Sequence, residues 1–160
     1  MITVNVPKDL MNQLYLTVVQ VAIEHNDKFL VIKRPEGAYE GGKLCFPGGK
    51  VDETDHHNAW DFLRLAAKRE ILEEVGLDLK DEVQYITSNY FQETDKVIIN
   101  LFHCKMDKTT LNIQPSSREV ADWFWLTAEE INQSDHAPMW LKTQVKHLMQ
   151  NPESAITHPS

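Results

Sequence analysis

The stretch Ala66-Ala67-Lys68-Arg69-Glu70-Ile71-Leu72-Glu73-Glu74-Val75-Gly76-Leu77 constrains this chain more than any other. Alanine, leucine, glutamate and arginine are strong helix formers, and no proline interrupts the run. Gly76 stands where helices commonly end in a left-handed turn. A helix fixes the relative positions of its side chains. At about 100° per residue, Glu70, Glu73 and Glu74 fall within an arc of roughly 100°, while Ile71 and Val75 point away toward a core. Three carboxylates therefore share one stripe. Like charges three and four positions apart disfavour a helix, so such a stripe is held either by full solvation or by a cation, and hard divalent ions prefer these oxygens. Taken alone, paired glutamates on a helix are ordinarily a solvated face.

The residues upstream change that reading. Phe46-Pro47-Gly48-Gly49-Lys50-Val51 sets two glycines ahead of the carboxylate-rich helix, which ends Arg-Glu-x-x-Glu-Glu-x-Gly-Leu. Together they resemble the Nudix hydrolase box, G-x5-E-x7-R-E-U-x-E-E-x-G-U, with U bulky and apolar. From Arg69 to Leu77 the match is complete. The front half departs from it. Counting forward from Gly49, the leading glutamate position holds Asp55; counting back from Arg69, it holds Asp61. About six residues are inserted between the halves, and either register substitutes aspartate for glutamate. The Gly49 register is preferred, since it leaves Asp55 in the loop beside the metal-binding half, whereas Asp61 would sit two turns up the helix from Arg69.

At 160 residues the chain reads as one domain over residues 1–150, with a disordered tail over 151–160. A hydrophobic content of 42% and a charged content of 25% match an ordinary globular protein. No apolar run reaches the ~18 residues of a membrane span, and the first residues lack the basic start and apolar stretch of a signal peptide. A cytoplasmic protein without membrane partners is expected. The net charge of −8 offers no basic face to a phosphate backbone, so nucleic acid is not an expected partner. Cys45 and Cys104 form no metal or redox pattern and read as buried free thiols.

Along the chain, residues 14–24 and 29–34 are rich in β-branched and aromatic residues and predict a hairpin turning at His25–Lys28. Residues 36–43 predict a glycine-rich loop, 44–46 a short strand, and 52–58 a polar loop whose His56 and His57 are solvated. Asn58 is expected to cap a helix from Ala59, with Trp60, Leu63, Ala67, Ile71 and Val75 as its buried stripe. Residues 83–91, 96–104 and 118–126 predict further strands. Thr127-Ala128-Glu129-Glu130 has capping-box spacing, and Pro138 opens a last helix packing Trp140, Leu141, Val145, Leu148 and Met149 on the sheet.

The resemblance covers about residues 14–150 and implies an α/β fold, the Nudix α/β/α sandwich with a mixed β-sheet. It also implies a metal-dependent hydrolase that cleaves a diphosphate bond in a nucleoside diphosphate linked to another moiety. The cofactor implied is Mg2+, which Mn2+ can replace, and the partner is a small nucleotide-type substrate. Glu70, Glu73 and Glu74, with the carbonyl of Gly49, would hold the metal, and Arg69 would orient a carboxylate. Glu70, or Glu119 from a later loop, would be the general base; the other reading of Glu119 is a surface salt bridge. Lys33 and Arg34, closing a strand, would face a phosphate or, as strand-end cations more often do, stay solvated. The loop after Gly49 looks a little like that of the coenzyme A diphosphatase branch, beside ADP-ribose, dinucleotides and nucleoside triphosphates as substrates. The alternative function is a catalytically inactive Nudix-like nucleotide-binding or regulatory module.

Overall fold

β-Branched and aromatic residues build a mixed seven-stranded sheet of β1 (Leu16–His25), β2 (Lys28–Lys33), β3 (Leu44–Cys45), β4 (Gly48–Lys50), β5 (Gln84–Gln92), β6 (Lys96–Lys105) and β7 (Asp122–Leu126). Among the described residues four α-helices accompany it: α1 (Lys8–Met11), α2 (Phe62–Val75), α3 (Ala128–Gln133) and α4 (Met139–Gln150). The computed structural model describes residues 7–11, 13–38, 40–58, 60–107 and 111–151. The tail expected beyond Asn151 lies outside the described residues.

β1 is the spine of the sheet. One edge runs parallel to β6 from Leu16 opposite Val97 to Glu24 opposite Lys105. Its other edge is divided: Glu24 and His25 pair with β2, and Val18 to Gln20 pair with β4. The β1–β2 turn has positive φ at both Asn26 (51°) and Asp27 (60°), the geometry that matches the twist of a tight hairpin. β2 pairs with β7 from Phe29 to Lys33 and, past the hairpin, with β3 through Ile32 and Lys33. The segment β3–Pro47–β4 is thus a wedge that parts β1 from β2, tied by the Val21 N–H donating to the Pro47 carbonyl at 2.9 Å. Proline, which has no N–H to offer a ladder, sits at the bend of the wedge.

Alternation along the strands sorts the two faces. Val19, Val21 and Ile23 of β1 join Leu30 and Ile32 of β2 beneath α2, whose Ala66, Ala67, Ile71 and Val75 are fully buried. Ala22, Phe29, Val31 and Leu101 face the other way, against Ile131 of α3 and Leu141, Val145 and Leu148 of α4. This gives the expected three layers. The one buried polar contact described on the α4 side joins Gln144 Nε2 to Gln20 Oε1 at 2.7 Å.

Several expectations are corrected. Residues 53–58 form a 3₁₀ helix rather than an open loop, and α2 begins at Phe62 rather than Ala59. Its N-cap is Asp61, in the left-handed region at φ 59°, so Asn58 does not start the helix. Trp60 precedes α2 and is 82% exposed, outside the buried stripe. Met149 is 57% exposed because it falls on the outer side of α4, away from Leu141 and Leu148. Pro138 is the N-cap of α4 at ψ 161°, one residue earlier than the first-turn position expected. The capping box stands as read: Glu130 N–H donates to Thr127 Oγ1 at 3.1 Å and Thr127 N–H to Glu130 Oε1 at 3.0 Å.

Leu141 and Met149 make a contrast for measurement. Replacing fully buried Leu141 with alanine should cost about 2–5 kcal/mol in urea unfolding, whereas Met149→Ala should stay within about ±0.5 kcal/mol. Equal costs would mean that α4 packs by another face.

Candidate active site

The C-terminal half of α2 lies close against β4, and the glycines of β4 make this approach possible. A Cβ at Gly48 would run into the carbonyl of Val19, and one at Gly49 into the carboxylate of Glu70. Neither glycine has a positive φ, so space rather than dihedral freedom requires them. At this contact Gly48 N–H donates to Glu74 Oε1 at 3.3 Å.

Glu74 is not the helix-surface residue its sequence context suggests; it is 5% exposed. Burial pushes its carboxyl up to about 8, with the charges of Glu119 and Glu70 adding to the effect. The Gly48 N–H and the Arg34 charge act in the opposite direction. The signal was present in the sequence: Glu74 stands seven residues after buried Ala67, on the same helix face. Burial also raises the carboxyl of half-buried Glu70, opposed by Arg69 and reinforced by Glu73 and Glu119.

Arg69 is the hub of the outer part of the site. Its Nε and Nη2 donate to the two oxygens of Asp55 at 2.8 and 2.9 Å, a bidentate pair. Nη1 reaches Glu70 Oε1 and Glu73 Oε2, both at 3.0 Å, and Nη2 also reaches the Lys50 carbonyl at 3.1 Å. Asp55 is buried, accepts the Asp52 N–H at 2.7 Å, and is held below the usual carboxylate range chiefly by Arg69. Asp61 belongs to the opposite end of the helix. It pairs with Arg64 Nη1 at 2.8 Å, while Arg64 Nε donates to the Val83 carbonyl at 2.7 Å. The geometry therefore brings Asp55, and not Asp61, to Arg69. Between the two acids, exposed His56 lies edge-on to Phe62 at 5.1 Å between ring centres.

Glu119 sits exposed on a turn, near enough for its charge to act on both Glu70 and Glu74. Arg34 leans on the buried Cys45 thiol, which burial pushes up to about 12, and its Nε is buried without a hydrogen-bond partner. Lys33 is half-buried, and its carbonyl accepts the Ala121 N–H at 2.9 Å. Among the described residues no three histidine, cysteine, aspartate or glutamate side chains stand ready to cage an ion. Glu70 lies against Gly49 and Glu74 against Gly48 of β4, and Glu73 is drawn toward Arg69.

Comparison with known proteins places the fold. The NUDIX domain profile matches residues 14–148. The chain belongs to the NUDIX domain family. Solved NUDIX-fold structures align over most of its length. The MutT protein from Methanosarcina mazei Go1 is 24% identical with a TM-score of 0.69, covering 82% of this chain and 91% of its own. The Escherichia coli ORF135 protein is 23% identical with a TM-score of 0.65, covering 91% and 94%. The NUDIX domain of Shewanella oneidensis NrtR, solved with ADP ribose, is 17% identical with a TM-score of 0.67, covering 89% and 90%. No curated protein sequence matches the chain.

Two outcomes test this NUDIX geometry. Asp55→Asn should cost roughly 1.5–3 kcal/mol in chemical unfolding, the range for hydrogen bonds to charged groups, whereas Asp61→Asn should stay within about ±0.5 kcal/mol. The second outcome concerns pH. Glu74 holds its proton in the fold up to about 8, whereas in the unfolded chain it releases it near its ordinary value of 4.5. Between those values the folded state binds more protons, so the stability of metal-free protein should fall as pH rises through this window. Glu74→Gln should flatten that part of the profile, as read from melting curves in EDTA. An unchanged slope would contradict the burial described for Glu74.

Proposed function

We propose that this chain hydrolyses a diphosphate bond in a nucleoside diphosphate linked to another moiety, with Mg2+ as cofactor and Mn2+ as its substitute. Membership in the NUDIX family supports pyrophosphate-bond hydrolysis of nucleoside diphosphate derivatives in general. One observation carries the reading to this chain. The carboxylates of Asp55, Glu70, Glu73, Glu74 and Glu119 gather around α2 and β4, and the guanidinium groups of Arg69 and Arg34 stand against them. The carboxyls of Glu70 and Glu74 are both raised, chiefly by burial, with neighbouring acidic charge adding to the effect. Hard oxygens in electrostatic deficit fit a divalent cation.

Glu70, Glu73 and Glu74, with the Gly49 carbonyl, would hold the metal. When bound, it supplies charge neutralisation for phosphate oxygens and lowers the pKa of a ligated water. The protein's own groups divide the remaining work. Arg69, gripped by Asp55, fixes the rotamer of Glu70 through its Nη1. Arg34, with its free Nε, and Lys33 meet the substrate phosphates from the end of β2. Glu70 or Glu119 takes a proton from the attacking water as its oxygen bonds to phosphorus, and the P–O bond to the leaving phosphate breaks. ADP ribose, bound by the Shewanella NUDIX domain, is one ligand of the proposed chemical class. Among the described residues no helix is long and apolar enough to cross a membrane.

A hydrolysis panel of ADP-ribose, dinucleotides, nucleoside triphosphates and coenzyme A, with products separated by chromatography, tests the reading. Turnover should vanish in excess EDTA and return with magnesium or manganese. On the best substrate Glu74→Gln should lower kcat by on the order of 10²–10³ while the variant stays folded. Undiminished turnover in EDTA would refute metal dependence, and tight nucleotide binding without turnover anywhere in the panel would favour a binding module.

A further inference from the structure

β5 is the last strand of the sheet in the order β3-β2-β1-β6-β5. It pairs with β6 from Gln84 opposite His103 to Gln92 opposite Lys96, and among the described residues no backbone hydrogen bond reaches its other edge. An open edge is a row of amides and carbonyls aimed at whatever extended chain comes beside it, and proteins ordinarily guard it with lysine, proline, inward charges or a bulge. β5 has one such guard, a slip of register between Tyr85 and Thr87 near its start. From Thr87 to Gln92 the ladder is regular, and Thr-Ser-Asn-Tyr-Phe-Gln holds no charged residue and no proline. In a chain with 25% charged residues, this edge is left open to pairing.

The side chains of the run suit contact. Tyr90 is half exposed and stands edge-on to Tyr15 at 6.0 Å between ring centres, and Tyr15 and its neighbour Leu14 are half exposed as well. On the same face Ser88 Oγ donates to Asn100 Oδ1 at 2.8 Å and shares a 2.6 Å hydrogen bond with the Tyr85 hydroxyl, which holds that face in one arrangement. Asn89 points to the opposite face. Its Oδ1 is buried without a hydrogen-bond partner.

What covers such an edge is another extended chain, whose backbone offers donors and acceptors at the same spacing. A second copy meets the conditions that the run sets. At a net charge of −8 two copies repel each other, and along this run they can meet with no acid opposite an acid. Antiparallel pairing about a two-fold axis at Asn89 places Ser88 opposite Tyr90 and Thr87 opposite Phe91, so an aromatic ring meets a β-branched side chain on one face. Asn89 then stands opposite itself. Swung outward, two carboxamides exchange the hydrogen bond that Asn89 Oδ1 lacks in the single chain.

We propose that this chain forms a two-fold dimer by antiparallel pairing of its β5 edges through residues 87–91, joining two sheets into one. Each copy uses the same edge, so the assembly closes at two. The dimer is independent of the hydrolase reading.

Sedimentation velocity on the full chain from about 5 to about 500 µM, the span in which modest interfaces assemble, tests the proposal. A monomer–dimer equilibrium is expected, and raising sodium chloride from about 0.05 to about 0.5 M should tighten it as repulsion between the copies is screened. Amide exchange at residues 87–91 of wild type should slow as the protein is concentrated. Asn89→Asp and Asn89→Lys each set like charges face to face and should weaken dimerisation by at least about 10-fold, whereas an equal mixture of the two should dimerise again. A chain that stays monomeric throughout, growth beyond the dimer, a dimer whose exchange at residues 87–91 does not change, or a dimer that survives both substitutions overturns the proposal. So does a mixture that restores nothing although circular dichroism shows both variants folded; if either is unfolded, exchange in wild type decides.

Discussion

The approach of α2 to β4 is a backbone-level contact, and much of the molecule is arranged to permit it. Helices ordinarily stand off a sheet by the depth of their side chains, because both surfaces carry Cβ atoms. Here Gly48 and Gly49 remove that layer, so Glu74 can accept a hydrogen bond from the sheet backbone and Glu70 can lie against Gly49. β4 can present its glycines only because the β3–Pro47–β4 wedge parts β1 from β2 and gives β4 an edge of β1 to pair with. Buried Ala66, Ala67 and Ile71 hold α2 down along the same line.

That proximity has an electrostatic cost. A carboxylate excluded from water and set beside two others is unfavourable unless something compensates it. The protein compensates the outer acids with Arg69, whose guanidinium reaches Asp55, Glu70 and Glu73, and compensates the inner Glu74 much less. Asp55 is paired with a guanidinium, whereas among the described residues buried Glu74 has only the Gly48 N–H. Such inequality among like groups is how one cluster separates structural acids from reactive ones.

The layers, the helix of the box and the capping box at Thr127 were legible because each rests on local periodicity or spacing. The half-buried strands showed their alternation, and the lower half of the box fixed α2 through Gly76. Two things were not legible. The start of α2 was misplaced because Asn58 is a good cap by type, whereas the actual boundary is set by a tertiary clamp in which Arg64 holds a left-handed Asp61 and reaches Val83. The burial of Glu74 was missed because a charged residue was assigned outward by its chemistry, although its angle on the helix placed it with Ala67. Between Asp55 and Asp61 the Gly49 register already favoured Asp55, and the structure adds its contact with Arg69, which spans 14 residues.

The inserted residues between Asp55 and Asp61 have both ends pinned, one by Arg69 and the other by Arg64. Between those pairs the described residues touch the helix through His56, whose ring lies edge-on to Phe62. Lengthening such a closed loop costs only about 0.6 kcal/mol per doubling. The loop lies beside the carboxylate cluster yet is held to the fold at both ends, and Trp60, 82% exposed on it, is an apolar surface that a longer segment at this place would present first.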